Sequence, residues 1–105
     1  MPTERHDKLV RDRIPEIVTA SGARPETRVA DPEEYRALLR AKLVEEVYEF
    51  LEDENPAELV DILEVVRALA TDLSTAPGEL ERMREKKAGE RGAFTERIVL
   101  CAVHT

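Results

Sequence analysis

Five acids stand out by type and spacing: Glu45, Glu46 and Glu49 in one run, then Glu58 and Asp61 in a second. Wound at 3.6 residues per turn, the first run places Glu46 on the shoulder of an apolar stripe made by Leu39, Leu43, Val47 and Phe50. Glu45 and Glu49 continue down the same flank. In the second run the stripe is Leu59, Ile62, Val66, Leu69 and Leu73, with Glu58 inside its width and Asp61 at its edge. If the two runs form an antiparallel pair turning near residue 54, positions equidistant from the turn meet. Glu49 then lies level with Glu58, and Glu46 with Asp61 or Ile62. Four carboxylates converge at a partly apolar seam, an arrangement that costs several kcal/mol for each unpaired charge, on the order of a desolvated ion. A hard divalent cation relieves that cost, since Mg²⁺ or Mn²⁺ takes oxygen ligands from a few carboxylates, water and substrate phosphate. The bland alternative makes Glu45 and Glu49 solvated helix acids and Glu58 the third residue of a capping box. It accounts poorly for two acids on apolar faces.

The charge distribution separates the acids from the bases. Residues 31–64 carry 12 Asp and Glu against 3 Lys and Arg, whereas residues 82–97 carry 6 Lys and Arg against 3 Glu. The whole chain has a net charge of −7. No uninterrupted basic face is available for a nucleic-acid polymer. An acidic patch beside a basic one suits a cation that carries a polyphosphate.

The elements that must position these side chains are well punctuated. Asp31-Pro32-Glu33-Glu34 supplies a cap, a first-turn proline and acids that complement the helix dipole, so a helix is expected from about residue 32 to 53. Asn55-Pro56-Ala57-Glu58 repeats the grammar and starts a second helix that runs to about Leu73, ending in Ser74-Thr75-Ala76-Pro77-Gly78. A third helix is expected over 79–88, and a short one over Pro15–Ala20 closed by Gly22. Residues 28–30 and 97–103 lean towards strand and are expected to pair as a small β-ribbon. The fold expected is all-α, one domain over residues 1–105, with a helical-hairpin core. The second helix is apolar around more than half its circumference, more than one hairpin can bury, which predicts a four-helix-bundle-like homodimer or homotetramer.

The run Lys42-Leu43-Val44-Glu45-Glu46-Val47-Tyr48-Glu49-Phe50, with Glu58-Leu59-Val60-Asp61-Ile62-Leu63-Glu64 after it, resembles the EExxE…ExxD signature of the all-α nucleotide pyrophosphohydrolases. That superfamily includes MazG, dimeric dUTPases and phosphoribosyl-ATP pyrophosphohydrolase. The opening Lys8-Leu9-Val10-Arg11-Asp12-Arg13-Ile14-Pro15-Glu16-Ile17 and the late Lys87-x-x-x-Arg91-Gly92-x-Phe94 resemble its small, single-domain MazG-like, phosphoribosyl-ATP pyrophosphohydrolase-like members. The resemblance implies a Mg²⁺-dependent hydrolase that cleaves a nucleoside triphosphate, or a related nucleotide, to the monophosphate and pyrophosphate. It implies Glu46, Glu49, Glu58 and Asp61 as metal ligands and Glu45 as a second-metal ligand or water-orienting base. It further implies Lys87 and Arg91 as phosphate-binding residues. For Lys8, Arg11 and Asp12 two readings stand: reach into a neighbouring site, or a surface ion-pair network.

Composition narrows the remaining classes. With 42% hydrophobic and 37% charged residues in 105, the chain reads as soluble and folded, with an aliphatic core because it has no Trp, two Tyr and two Phe. Its longest uncharged apolar run, Ile98–Val103, is far short of a membrane span, and the opening MPTERHDK lacks the apolar run of a signal peptide, so the cytoplasm is the expected compartment. Cys101, His6 and His104 are too scattered for a structural zinc site. Two further classes share much of this pattern: a non-catalytic nucleotide-sensing module and a small helical interaction protein docking its acidic face on a basic partner. The intact acid set speaks against the first and the Lys87/Arg91 pair against the second.

Overall fold

A computed structural model describes residues 6–105. It contains α1 (Ile14–Ala20), α2 (Pro32–Glu52), α3 (Pro56–Asp72) and α4 (Pro77–Arg91), and no strand among the described residues. The fold is all-α with a helical hairpin, α2 against α3, at its centre, and α4 packs on α3. No helix of the described residues is long and apolar enough to cross a membrane.

The helix starts follow their sequence grammar. Asp31 accepts a hydrogen bond from the Glu34 amide at 2.9 Å, and Asn55 accepts one from the Glu58 amide at 3.3 Å. Both helices place proline in the first turn, where the missing N–H has no intrahelical partner to lose. Arg28 grips Glu34 with two amino groups at 2.6 and 2.7 Å, which fixes the entry to α2. The hairpin register is read directly from its open end. There Arg36 Nε reaches Asp72 at 2.8 Å, and the two residues stand equally far from the turn at residue 54.

Helix ends are equally legible. After α1, Gly22 adopts φ 95° and donates to the Thr19 carbonyl while Ala23 donates to that of Val18, a Schellman closure. After α3 the same closure is made by Ser74 at φ 59°, with Ser74 donating to Thr71 and Thr75 to Ala70. α4 extends beyond the expected 79–88 at both ends and continues through Gly89 to Arg91, because one glycine costs a helix only about 1 kcal/mol.

Two sequence expectations are corrected. The stripe expected to be buried on α3 is rotated: Val65 and Ala70 are its buried members, whereas Leu59 is 45% and Leu73 71% exposed. The hairpin covers the flank that carries Asp61 and Val65, because α2 brings Leu39 and Glu46 to that side. A helix apolar around most of its circumference gives a wheel no unique buried centre. The ribbon is absent. Residues 28–30 and 97–103 run without ladder pairing, Arg97 takes a left-handed φ of 58°, and Ile98, Val99 and Leu100 are 82%, 80% and 77% exposed. An isolated two-stranded ribbon with no surface beneath it is marginal in water.

The single chain is extended. Its radius of gyration is 18.5 Å, against roughly 13 Å for a compact chain of this length.

Ser74 is a non-glycine residue in a glycine position. Ser74→Gly is expected to stabilise the protein by up to about 1 kcal/mol, measured as a rise in urea midpoint with an unchanged slope.

Candidate metal centre

Glu46 sits at the middle of the α2–α3 seam. It is 6% exposed, the one buried charged residue among those described, beside Leu39 and Val65 in the small core. Its position follows from the wheel of α2, about four turns in from the Asp31 cap and on the shoulder of the Leu39–Leu43–Phe50 stripe. One of its oxygens, Oε1, meets Lys42 Nζ at 3.3 Å across one helical turn. The other, Oε2, is buried with no hydrogen-bond partner. Glu58, at the first turn of α3, also buries its Oε2 without a partner. Buried polar atoms are almost always satisfied in native proteins, and two orphaned carboxylate oxygens at one seam mark a place made for something that binds oxygen.

The acids fall into two overlapping groups. Glu45, Glu46 and Glu49 offer oxygens that lie within 4.8 Å of one another, as do Glu46, Glu58 and Asp61. Glu46 belongs to both. Glu46 bridges the α2 acids to the α3 acids, whereas Glu49 shares a group with Glu46 and not with Glu58 or Asp61.

Their electrostatics differ in a telling way. The negative charge of Glu46 is the main cause holding the Glu49 carboxyl above the ordinary carboxylate range, with contact between the two carboxyls, desolvation, Glu45 and Glu58 adding to it. Glu58 is also raised, chiefly by burial and then by Asp61, Asp53 and Glu46. In both, the charged form is disfavoured relative to a free carboxylate, and a nearby cation would offset that. Glu45 is held below the ordinary range, first by a hydrogen bond from Lys8 that outweighs burial, then by Lys42. Lys42 itself is kept protonated: burial acts against its charge, and the hydrogen bonds to Glu45 and Glu46 prevail.

Three cations among the described residues reach the acids. Besides Lys42, Lys8 Nζ lies 3.0 Å from Glu45 Oε1 and an Arg11 amino group lies 2.8 Å from Asp61 Oδ1. Residues 8–12 and Ile14 line a cleft of about 480 Å³ whose walls include Tyr35, Leu39, Lys42, Glu46, Asp61 and Glu64. That volume falls in the range of small-molecule sites. Lys87 and Arg91 do not line it. They project from α4 as exposed side chains, and Arg91 borders a separate hollow formed with Ala93, Phe94, Glu96, Arg97 and Ile98. Sequence reasoning left Lys8 and Arg11 between two readings and did not single out Lys42. The signal available for Lys42 was its i, i+4 spacing to Glu46. For Lys8 and Arg11 no local signal exists, since their partners lie 37 and 50 residues away.

No protein-family model matches the chain, and no solved structure matches it. A stretch of 42 residues is 57% identical to an uncharacterized protein of Mycolicibacterium smegmatis. The match covers 40% of this chain and 43% of that protein, so the chain corresponds to less than half of the relative's length.

The opposite shifts of Glu58 and Glu45 give a paired test in EDTA. A carboxyl raised on folding adds stability that is fully present at acid pH and lost as pH rises through its folded value, so removing its charge helps at neutral pH. Glu58→Gln is expected to raise the melting temperature at pH 7.5, with the gain vanishing as the pH falls below the ordinary carboxylate range. A lowered carboxyl contributes stability above its unfolded value that is lost on acidification. Glu45→Gln is accordingly expected to lower neutral-pH stability by up to about 1 kcal/mol, with no difference from wild type in strong acid. Equal effects of the two variants in EDTA melts would refute the charge assignment.

Proposed function

We propose that this protein is a MazG-like, phosphoribosyl-ATP pyrophosphohydrolase-like enzyme. In this reading it uses Mg²⁺, with Mn²⁺ able to substitute, to hydrolyse a nucleoside triphosphate or related nucleotide to the monophosphate and pyrophosphate, in a house-cleaning role in the cytoplasm. The observation that carries it is Glu46: a buried carboxylate with an orphaned oxygen, shared by two groups of acids. The donor set is all oxygen, with Glu49 raised chiefly by the charge of Glu46 and Glu58 chiefly by burial, and this fits a hard divalent ion.

Glu46, Glu49, Glu58 and Asp61 hold the ion in this reading. A bound Mg²⁺ supplies neutralisation of phosphate oxygens and a more acidic water. Glu45, kept ionised by Lys8 and Lys42, is the base that orients the attacking water and accepts its proton. The water oxygen bonds to the α-phosphorus, the bridging bond to the β-phosphate breaks, and pyrophosphate departs with the electron pair. Lys87 and Arg91 grip the β- and γ-phosphates, the arginine bidentately and the lysine as a point charge. Because neither lines the cleft of its own chain, this role requires α4 of a second copy or a movement of α4.

The same reading makes the working unit a homodimer or homotetramer. The chain exposes 9686 Å², against roughly 6,000 Å² for a compact folded monomer of this mass. Val44, Val47, Tyr48 and Leu51 of α2 and Leu59, Val60 and Leu63 of α3 are all exposed around the turn end of the hairpin. Two such hairpins packed face to face make a four-helix bundle.

Three outcomes are expected. Pyrophosphate release from a nucleotide panel requires Mg²⁺ or Mn²⁺, and Glu46→Gln, Glu49→Gln, Glu58→Gln or Asp61→Asn each lowers it by at least about tenfold. Nucleotide binding without pyrophosphate release would instead mark a sensing module. In ¹⁸O-water the label appears in the monophosphate; label in orthophosphate beside a diphosphate product would mean γ-cleavage and sink the assignment of Lys87 and Arg91. Light scattering gives a mass at least twice 11.9 kDa, and Leu63→Glu shifts it towards the monomer. A stable wild-type monomer at micromolar concentration would overturn the oligomer.

A further inference from the structure

The contacts of Lys8 and Arg11 hold more than an ion-pair network. Residues 8–13 precede α1 without regular structure and form a strap across the cleft, held in place by half-buried Leu9 and Ile14. Two of its three cations end on acids from opposite sides of the seam, Lys8 on Glu45 of α2 and Arg11 on Asp61 of α3, while Arg13 pairs with Glu16. Asp61 belongs to the group with Glu46 and Glu58, and Glu45 to the group with Glu46 and Glu49. The strap cations therefore occupy the acids that a divalent ion would use.

We propose that Lys8 and Arg11 are polyphosphate ligands which, without a metal, rest on the metal-binding carboxylates, and that metal binding releases them to the phosphates. The proposal rests on the metal-dependent reading above and adds to it the residues that hold the anion. Three features carry it. Both side chains are about half exposed, at 45% and 53%, so an incoming ligand can reach them. Arg11 meets Asp61 through one amino group, which leaves most of a planar five-donor fork for a ligand with more oxygens than a carboxylate. Both line the cleft together with Lys42 and Glu46, so a phosphate chain entering beside the acids passes between them.

The exchange is electrostatically consistent. A divalent ion in either acid group, the one that holds Glu45 with Glu46 or the one that holds Asp61 with Glu46, weakens the pull of that group on its strap cation and repels it. An incoming triphosphate supplies several negative charges and attracts the strap cations again. Metal and strap thus compete for the same carboxylates, whereas metal and polyphosphate assist one another, and the two couplings have opposite sign.

The test follows from those signs. Calorimetry measures Mn²⁺ binding to the wild type, Lys8→Gln and Arg11→Gln, and then binding of Mg²⁺-loaded inorganic tripolyphosphate to each protein saturated with Mg²⁺. Each substitution is expected to tighten Mn²⁺ binding about two- to fivefold, the worth of a partly exposed ion pair. Each is expected to weaken tripolyphosphate binding by about fivefold or more, the loss of a charge-assisted contact. Lys8→Arg restores the tripolyphosphate affinity. If Mn²⁺ and tripolyphosphate affinities fall together or stay unchanged, the strap is structural and the proposal fails, while the metal reading stands. If the wild type binds no Mn²⁺, the metal reading fails and takes the strap with it. A measurement on the wild type alone guards against a variant that does not fold. The Arg11 side-chain ¹⁵N resonances should shift on Mg²⁺ addition and shift again with tripolyphosphate; their indifference to Mg²⁺ would overturn the release step.

Discussion

A carboxylate buried in the seam of a helical hairpin sets the terms for the rest of this molecule. Glu46 occupies a position that a leucine would fill at far lower electrostatic cost, and its burial obliges the neighbourhood to supply positive charge. Lys42 supplies part of it from the same helix, one turn back. That contact satisfies one oxygen only. The second oxygen, together with that of Glu58, remains an unmet demand at the centre of the chain's small core. A core of Leu39, Val65 and Ala70 is modest for a hairpin of this length, and the site takes up space that would otherwise add to it.

The remaining cations are distributed as if to manage that demand from two directions. Lys8 and Arg11 approach from the strap on one side of the seam, where they bear on Glu45 and Asp61. The basic residues of α4 are held elsewhere, exposed and out of reach of the cleft in their own chain. The apolar surface follows the same division. The hairpin buries the flank that carries the acids and leaves uncovered the flank of Leu59, Val60 and Leu63. α3 thus buries Val65 and Ala70 on one side and leaves the apolar Leu59, Val60 and Leu63 uncovered on another. It is consistent with a chain whose outward face is completed by another copy.

How much of this the sequence disclosed depended on the range of the interactions involved. Helix starts and stops were legible because their causes are local: Asp31 and Asn55 bond amides three residues on, and Gly22 and Ser74 close helices through bonds spanning one turn. The acid cluster was legible because hairpin symmetry about a short turn converts spacing into proximity, and Arg36 on Asp72 obeys the same rule. The buried face of α3 was not, since its apolar residues surround the helix and only the partner decides which side is covered. The strap contacts were hidden for a different reason. Lys8 and Arg11 lie on a segment without periodic structure, and no spacing rule links them to Glu45 or Asp61. The 97–103 run shows the converse failure, a strand composition with no surface on which a strand could form.

Glu58 shows why helix start and site coincide. Its amide is the one that Asn55 caps, so the signal that begins α3 also fixes the backbone from which the Glu58 carboxyl extends. In the first turn that carboxyl stands at the positive end of the helix macrodipole, which favours its charged form. Burial and the charges of Asp61, Asp53 and Glu46 press the other way and prevail, since the group remains raised. The cap therefore lowers the cost of an acid at this point without abolishing it. The short turn after Asp53 adds a second constraint, because lengthening it would carry Glu58 away from Glu46 and dissolve the group the two share with Asp61. Cap, turn and acid group are thus one device, and the charge imbalance it preserves at the seam is what a bound cation would offset.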